Sequence, residues 1–469
     1  MPSEHYYFGG GATDTVMHPL VALAMVLTII FVLALPRKKV IIPFFLCTFL
    51  IPLGQTLVVG GVHLFVLRIV VLFCCGRMLV ARLSGQRNLF GTGPNSLDTV
   101  FILWVVFRAV AFLFLFSFQS AAVVNQVAWV LDVMGGYFFL RFAIHDEKDI
   151  RLTIKVLAVV AAVIGVCMLN EKLHDQNIFG YLGGMPVAPQ IRDGAIRAQG
   201  PFAHPILAGS FGATLVPLFL WLWQVKSKQI AAAGVIGATC IVLSSASSTP
   251  LMAYIGGIVA VCFWPMRKHM RVFRWAIVLV LVGLHLAMKA PVWFLIARID
   301  LTGASSGYHR AALVDHFIRH FSEWWLIGTN NNANWGYDMW DLSNQFVAEG
   351  VSGGLATFIC FIALISMSFG RIGDARKAAR GDRKREWFLW FLGCALVSHI
   401  VAYWGISYFD HTQMSWFALL IMINVATAAK VAERIPVPKP AQAESELAFS
   451  PIEVSETVQE ERLSPFRTN

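Results

Sequence analysis

Four short stretches of this 469-residue chain hold side chains able to do chemistry together. The first, Arg197-Ala-Gln-Gly200-Pro-Phe-Ala-His204-Pro205, runs straight into an apolar block. Proline at a first helical position, preceded by a polar residue, marks a helix start. A helix start presents free N–H groups and the positive end of the helix dipole, and both attract an anion. Arg197 stands close enough upstream to share such an anion. The plainer reading makes Arg197 an interfacial cation and His204 a cap. Just inside, Ala208-x-x-x-Gly212 and Gly209-x-x-x-Ala213 are small-residue pairs that let helices approach closely.

The second stretch runs from Ser305 through His309-Arg310 to Phe321. Wound as a helix, it puts His309, Ala312, His316, Arg319, His320 and Glu323 on a polar face. Leu313, Val314, Phe317, Phe321, Trp324 and Trp325 form the opposite, apolar face, with Arg310 in its middle. An arginine turned toward the packed side needs a counter-charge. Asp341 or Glu349 would supply one; so would an anionic ligand held between this helix and the membrane domain. The histidines include an i,i+4 pair that a metal would accept, but on a solvated face no metal is expected.

The third stretch, Asp341-Leu-Ser-Asn344-Gln345-Phe-Val-Ala-Glu349-Gly-Val-Ser-Gly-Gly354, opens a further apolar block. Asp341 and Ser343 are of cap type, Glu349 falls about two turns in, and the glycines permit close helix contact. Capping does not account for Asn344, Gln345 and Glu349 together. The fourth, Ser244-Ser-Ala-Ser-Ser248-Thr-Pro250, is a turn that either lines the same cavity or simply links two helices. Deeper in apolar sequence, Arg108 and Asp132 fall near the midpoints of consecutive blocks and are expected to pair, with Arg68 nearer an end.

The elements that must position these residues follow from composition. With 57% hydrophobic and only 14% charged residues, the chain is no soluble enzyme. Its apolar residues come in blocks close to the length that crosses a bilayer. They define thirteen candidate spans between Val16 and Ala429, hence an all-α polytopic membrane protein of 12 to 13 transmembrane helices. The membrane domain is expected over residues 1–430, with a Pro- and Glu-rich disordered cytoplasmic tail over 431–469. The net charge of +10 is a topology signal rather than a nucleic-acid patch, because most of the 37 Lys and Arg residues fall on one side. By the positive-inside rule the N-terminus is outside and the C-terminus inside. The run Arg371 to Arg385 reads as a solvated topological segment. The eight cysteines all fall within spans, without a disulfide framework, and no basic region precedes the first apolar run, so no cleavable signal peptide is expected. Two outer loops, 171–204 and 291–341, are long, and the motifs sit in them or at their edges.

Arg-x-x-Gly-x-Phe-x-polar-Pro entering a helix, an Arg-led amphipathic helix in a large outer loop and an Asn/Glu/Gly-rich start to the next span resemble the O-antigen ligase and polymerase family. The resemblance covers about residues 197–354. It implies a C-type membrane glycosyltransferase fold, activity on undecaprenyl-diphosphate-linked glycan, the bacterial inner membrane as its location, and other polysaccharide assembly and export proteins as partners. By position, Arg197 and Arg310 match arginines used near the lipid diphosphate, and residues 341–354 match the segment where ligases carry a His-Asn pair. Here Ser343 precedes Asn344, and Thr249 stands where a ligase-type turn has arginine, which favours a polymerase or exopolysaccharide relative.

The residues make chemical sense of this. A lipid diphosphate needs cations, and arginine's fork suits phosphate. At about 4 Å in an effective dielectric near 20, one such contact is worth at most about 4 kcal/mol. The acceptor hydroxyl needs a proton acceptor: His204 is the first candidate and Glu349 the second. Asp341, Asn344 and Gln345 are the remaining candidates for substrate binding, and neither metal nor cofactor is expected. Trp324, Trp325, Trp335 and Trp340 either stack on sugars or pack against the membrane surface. The rival class is a transporter or flippase of a lipid-linked or anionic glycan, which predicts broken helices and polar sites at the bilayer midplane.

Overall fold

Long apolar sequence forms helix here because a backbone in lipid must satisfy its hydrogen bonds within its own segment. The computed structural model describes residues 16–59, 62–86, 88–225, 227–298 and 307–428. The glycine-rich start, Ser305 and the expected disordered tail lie outside the described residues. In chain order come α1 (Pro19–Ala34), α2 (Ile41–Leu50), the hairpin β1 (Thr56–Val59) and β2 (Val62–Phe65), α3 (Val66–Leu83), α4 (Ser96–Leu115), α5 (Ser120–Ala143) and α6 (Glu147–His174). The hairpin β3 (Gln190–Arg192) and β4 (Ala195–Arg197) precedes α7 (Pro205–Gln224), α8 (Lys228–Ser244), α9 (Ser248–Cys262) and α10 (Met270–Ala287). Then follow α11 (Gly307–Arg319), α12 (Phe321–Trp324), α13 (Gln345–Ala378), α14 (Arg383–Tyr403) and α15 (Gln413–Ala428).

The chain is an all-α polytopic membrane protein. Among the described residues, seven helices (α4, α5, α6, α7, α10, α13, α14) are long and apolar enough to cross a membrane, and α1, α8, α9 and α15 are shorter apolar helices. Every expected span contains a helix, but the block Val40–Val59, expected as the second span, is helical only in its first part. Helix α2 stops at Leu50 before Pro52, and the β-branched run that follows pairs instead as a hairpin, Thr56 opposite Phe65. Helix α7 is the hub, buried over nearly its whole length. Its small-residue pairs do what their spacing requires: Gly209 abuts Ser245 and Pro250, and Gly212 abuts Ala238 and Ile241.

Each end of the bundle has its own polar chemistry. At one end the basic residues form clasps between elements. Arg141 is fully buried on Asp98 at 2.9 Å, Arg37 meets Asp149 at 3.0 Å, and Arg385 meets Glu147 at 2.7 Å. The run Arg371 to Arg385 is therefore not simply solvated: Arg371 binds Asn95 and Arg376 binds the Arg267 carbonyl. The opposite end, called the loop end below, gathers residues 172–204, 244–249, 307–345 and 404–412.

At the loop end α11 and α12 form a small second core. Leu313, Phe317, Trp324 and Trp335 pack with Val347 and Val351 of α13. Helix α13 is broken at Gly354, where φ is 71° and ψ is −171°, a conformation only glycine takes readily. The backbone groups freed by the break are satisfied across it. Leu355 N–H donates to the Trp325 carbonyl, and the Val351 carbonyl accepts from Thr329 N–H, each at 2.8 Å. Gly350 leaves room for the rings of Phe317 and Trp324. The loop subdomain is thus hydrogen-bonded into a spanning helix.

Candidate functional site

The segment carrying Arg197 and His204 is fixed from three sides. The Glu171 carboxylate, at the end of α6, accepts the backbone N–H groups of Gln199 and Gly200 at 3.0 and 2.9 Å. Asn177 donates to the Gly200 carbonyl at 2.9 Å, and Asp410, between α14 and α15, accepts from Ala203 N–H at 3.3 Å. Behind it, Ala198 N–H donates to the Ser244 carbonyl. Arg197, 8% exposed, is left with one side-chain bond, to the Ser247 hydroxyl at the start of α9 at 2.9 Å. No carboxylate meets it among the described residues.

Arg310 is buried too, at 5% exposure, on the packed face of α11 as its helical position requires. It forms no ion pair among the described residues, with either Asp341 or Glu349, and its Nε is buried without a hydrogen-bond partner. Arg310 is close enough to Arg192 and Arg197 that their charges loosen its proton. Burial is the larger cause, and together they bring its pKa down to about 10; Asp341 opposes the shift. Burial and the Arg192 charge lower Arg197 likewise. Like charges buried near one another disfavour their own charged forms, so the arrangement is suited to a nearby anion. Arg192, Arg197 and Arg310 thus lie within electrostatic reach of one another.

His204 caps α7: its Nδ1 accepts Ile206 N–H at 3.1 Å. Burial foremost, then the Arg197 charge, lower its pKa to about 4, so the ring is neutral near pH 7. With Nδ1 accepting, the single proton sits on Nε2. The ring can then donate to an anion but has no lone pair free for a substrate proton while the cap holds. A base at His204 does not fit this geometry.

Glu349 does not fit that role either. It is fully buried and accepts from Trp104 Nε1 at 2.8 Å and Gln345 Nε2 at 2.6 Å, with Arg108 at 3.4 Å. That pairing also revises the intramembrane charges. Arg108 pairs with Glu349 and lies over Trp129, while Asp132 pairs with Arg68 at 2.7 Å. Gln345 spends both ends of its amide inside the protein, because its Oε1 accepts Tyr408 N–H at 2.6 Å. Asn344, not Asp341 or Ser343, caps α13, accepting from Phe346 and Val347 N–H. Its Nδ2 stays unpartnered.

Asp341 is instead half-exposed, its Oδ2 3.9 Å from His309 Nε2. Burial is the main cause raising its pKa, opposed by His309 and Arg310. It is a carboxylate within electrostatic reach of Arg310. Of the four tryptophans considered for sugar stacking, Trp324 and Trp335 are buried in the second core, while Trp325 and Trp340 are exposed. His316 and His320 form no metal cluster among the described residues.

The segment Tyr408-Phe-Asp410-His411-Thr412 was not among the four stretches singled out in the sequence. Asp410 holds Ala203, and the His411 ring lies 4.7 Å from that of Phe202. The signal was present as polar residues between the last two apolar blocks. No family model, curated protein or solved structure matches the chain.

Proposed function

We propose that the protein is a membrane glycosyltransferase of surface-polysaccharide biosynthesis, an O-antigen or exopolysaccharide polymerase or ligase. It acts at the outer face of the bacterial inner membrane, with its N-terminus periplasmic and its C-terminus cytoplasmic. The donor is an oligosaccharide on undecaprenyl diphosphate, the acceptor a glycan hydroxyl. One observation carries the reading: Arg197 and Arg310 are buried within electrostatic reach of each other and, among the described residues, neither forms an ion pair with a carboxylate. A diphosphate is the anion such a pair suits, and the starts of α7 and α9 beside it add their dipoles.

In this reading the acceptor oxygen attacks the anomeric carbon of the donor, and the bond from that carbon to the diphosphate oxygen breaks. The electron pair leaves with the phosphate, where the arginines stabilise it. The acceptor proton passes to Asp341, which replaces His204 and Glu349 in that role. His204 contributes its Nε2–H as a further donor to phosphate.

The transporter reading has one feature in its favour, the break in α13. Trp325 and Thr329 fill that break with backbone hydrogen bonds, which favours a fixed structural joint over a transport path. A glycan profile of a deletion strain tests the proposal. Loss of long chains marks a polymerase, and long chains stranded on the lipid carrier mark a ligase. An unchanged surface glycan contradicts both.

A further inference from the structure

We infer that Arg192 is a third ligand of the diphosphate, one whose contact strengthens as the glycosyl bond breaks; this rests on the lipid-diphosphate reading of the site. The placement comes from the β3–β4 hairpin. Its register sets Gln190 opposite Arg197 and Arg192 opposite Ala195. Alternate residues share a face, so Arg192 and Arg197 project from the same side as diagonal neighbours, roughly 7–8 Å apart at the backbone. Asp193 and Gly194 both have positive φ, 49° and 76°, the tight turn that holds the two strands in this register.

Arg192 differs from the other two arginines in depth. Its side chain is 44% exposed, whereas Arg197 and Arg310 are buried. Its nearest carboxylate is that of its own neighbour Asp193, at 3.8 Å and more exposed still, a pairing that surface screening makes weak. Its charge nevertheless acts on Arg197, Arg310 and His204. Arg192 is the outermost cation of a cluster whose inner members are fixed.

Charge accounting gives the outer cation its work. In a lipid-diphosphate glycan each phosphate carries one negative charge, two in all. When the anomeric C–O bond breaks, its electron pair stays on the terminal phosphate, and the acceptor's proton goes to Asp341. The departing lipid diphosphate then carries three negative charges. The new charge develops on the sugar side of the diphosphate, away from the lipid and toward solvent, which is where Arg192 stands. Two buried arginines match the donor; the third matches the charge that appears during transfer. An interaction stronger with the departing group than with the donor accelerates the chemical step.

Two probes separate these charges without the native glycan. Farnesyl diphosphate at pH 8 stands for the departing group, and its terminal-phosphate methyl ester stands for the donor. Affinities are measured on the full-length protein in lipid nanodiscs for wild type, Arg192→Gln and Arg310→Gln, with thermal melting to verify folding. Arg192→Gln should weaken farnesyl diphosphate about tenfold and leave the ester within about twofold, whereas Arg310→Gln should weaken both. If Arg192→Gln affects both probes equally, or neither, while Arg310→Gln weakens both, the inference fails and the diphosphate reading stands. If Arg310→Gln binds both like wild type, the reading itself fails.

Discussion

A buried arginine is costly to desolvate, and among the described residues no carboxylate forms an ion pair with Arg197 or Arg310. Removing either should therefore cost function far more than fold. Arg310→Gln and Arg197→Gln are each expected to lower affinity for a lipid diphosphate by about 2–3 kcal/mol, on the order of a hundredfold, with the melting temperature kept or raised. Isothermal titration with a prenyl diphosphate, alongside melting, checks this. His204 gives a second prediction. Replacing it with Asn keeps the α7 cap, so most activity should survive; Ala should lose about 1 kcal/mol of stability. Because the folded ring has a pKa of about 4 against 6.5 when free, the unfolded chain takes up a proton in that window that the folded chain refuses. Stability should fall as pH drops from 6.5 toward 4, and His204→Asn should remove part of that fall. A melting series against pH reads it directly. Asp341 acts in the opposite sense. Its raised pKa moves proton acceptance up from the ordinary carboxylate range, so the rate should decline on the acid side above pH 3.8, and Asp341→Asn should abolish transfer without weakening donor binding.

At the scale of elements, the joint between α13 and the loop subdomain decides whether Arg310 is held in place. Gly354→Ala forces a side chain onto a φ of 71° and against the Leu326 backbone, at a cost of about 1–3 kcal/mol. The subdomain should loosen, seen as faster proteolysis within residues 307–345 and greater solvent exposure of Trp324 fluorescence. Glu349 acts at the same level, tying α4 to α13 through Trp104 and Arg108. Glu349→Ala should destabilise the protein by about 3–5 kcal/mol, because it leaves Arg108 and buried donors without their acceptor. Glu349 was legible in the sequence as an unusual carboxylate in apolar surroundings, but its partner was not. Arg108 and Asp132 are near in sequence, Arg108 and Glu349 far apart, and only packing brings the latter two together. The hairpin after α2 escaped notice for a related reason. A Val-rich run reads equally as strand or span, and Pro52 decides between them.

Over the whole molecule, the helical bundle was readable from apolar block length, since that follows from lipid as a solvent. Arg310's burial was readable from helical periodicity alone. What did not show was how polar groups are shared out among segments distant in sequence. Asn344 took the cap expected of Asp341, which left Asp341 beside His309 and within reach of the Arg310 charge. Asp410 reached back to fix the loop before His204. The central claim is that these groups break a bond to a lipid diphosphate. The most direct measurement reconstitutes the protein in vesicles with undecaprenyl-diphosphate-linked oligosaccharide and follows the carrier by mass spectrometry. The account predicts free undecaprenyl diphosphate released in step with glycan transfer, and no release when Arg197 and Arg310 are both replaced by Gln. Lipid-linked glycan that changes leaflet with its bond intact, or bond cleavage that persists in the double variant, would contradict it.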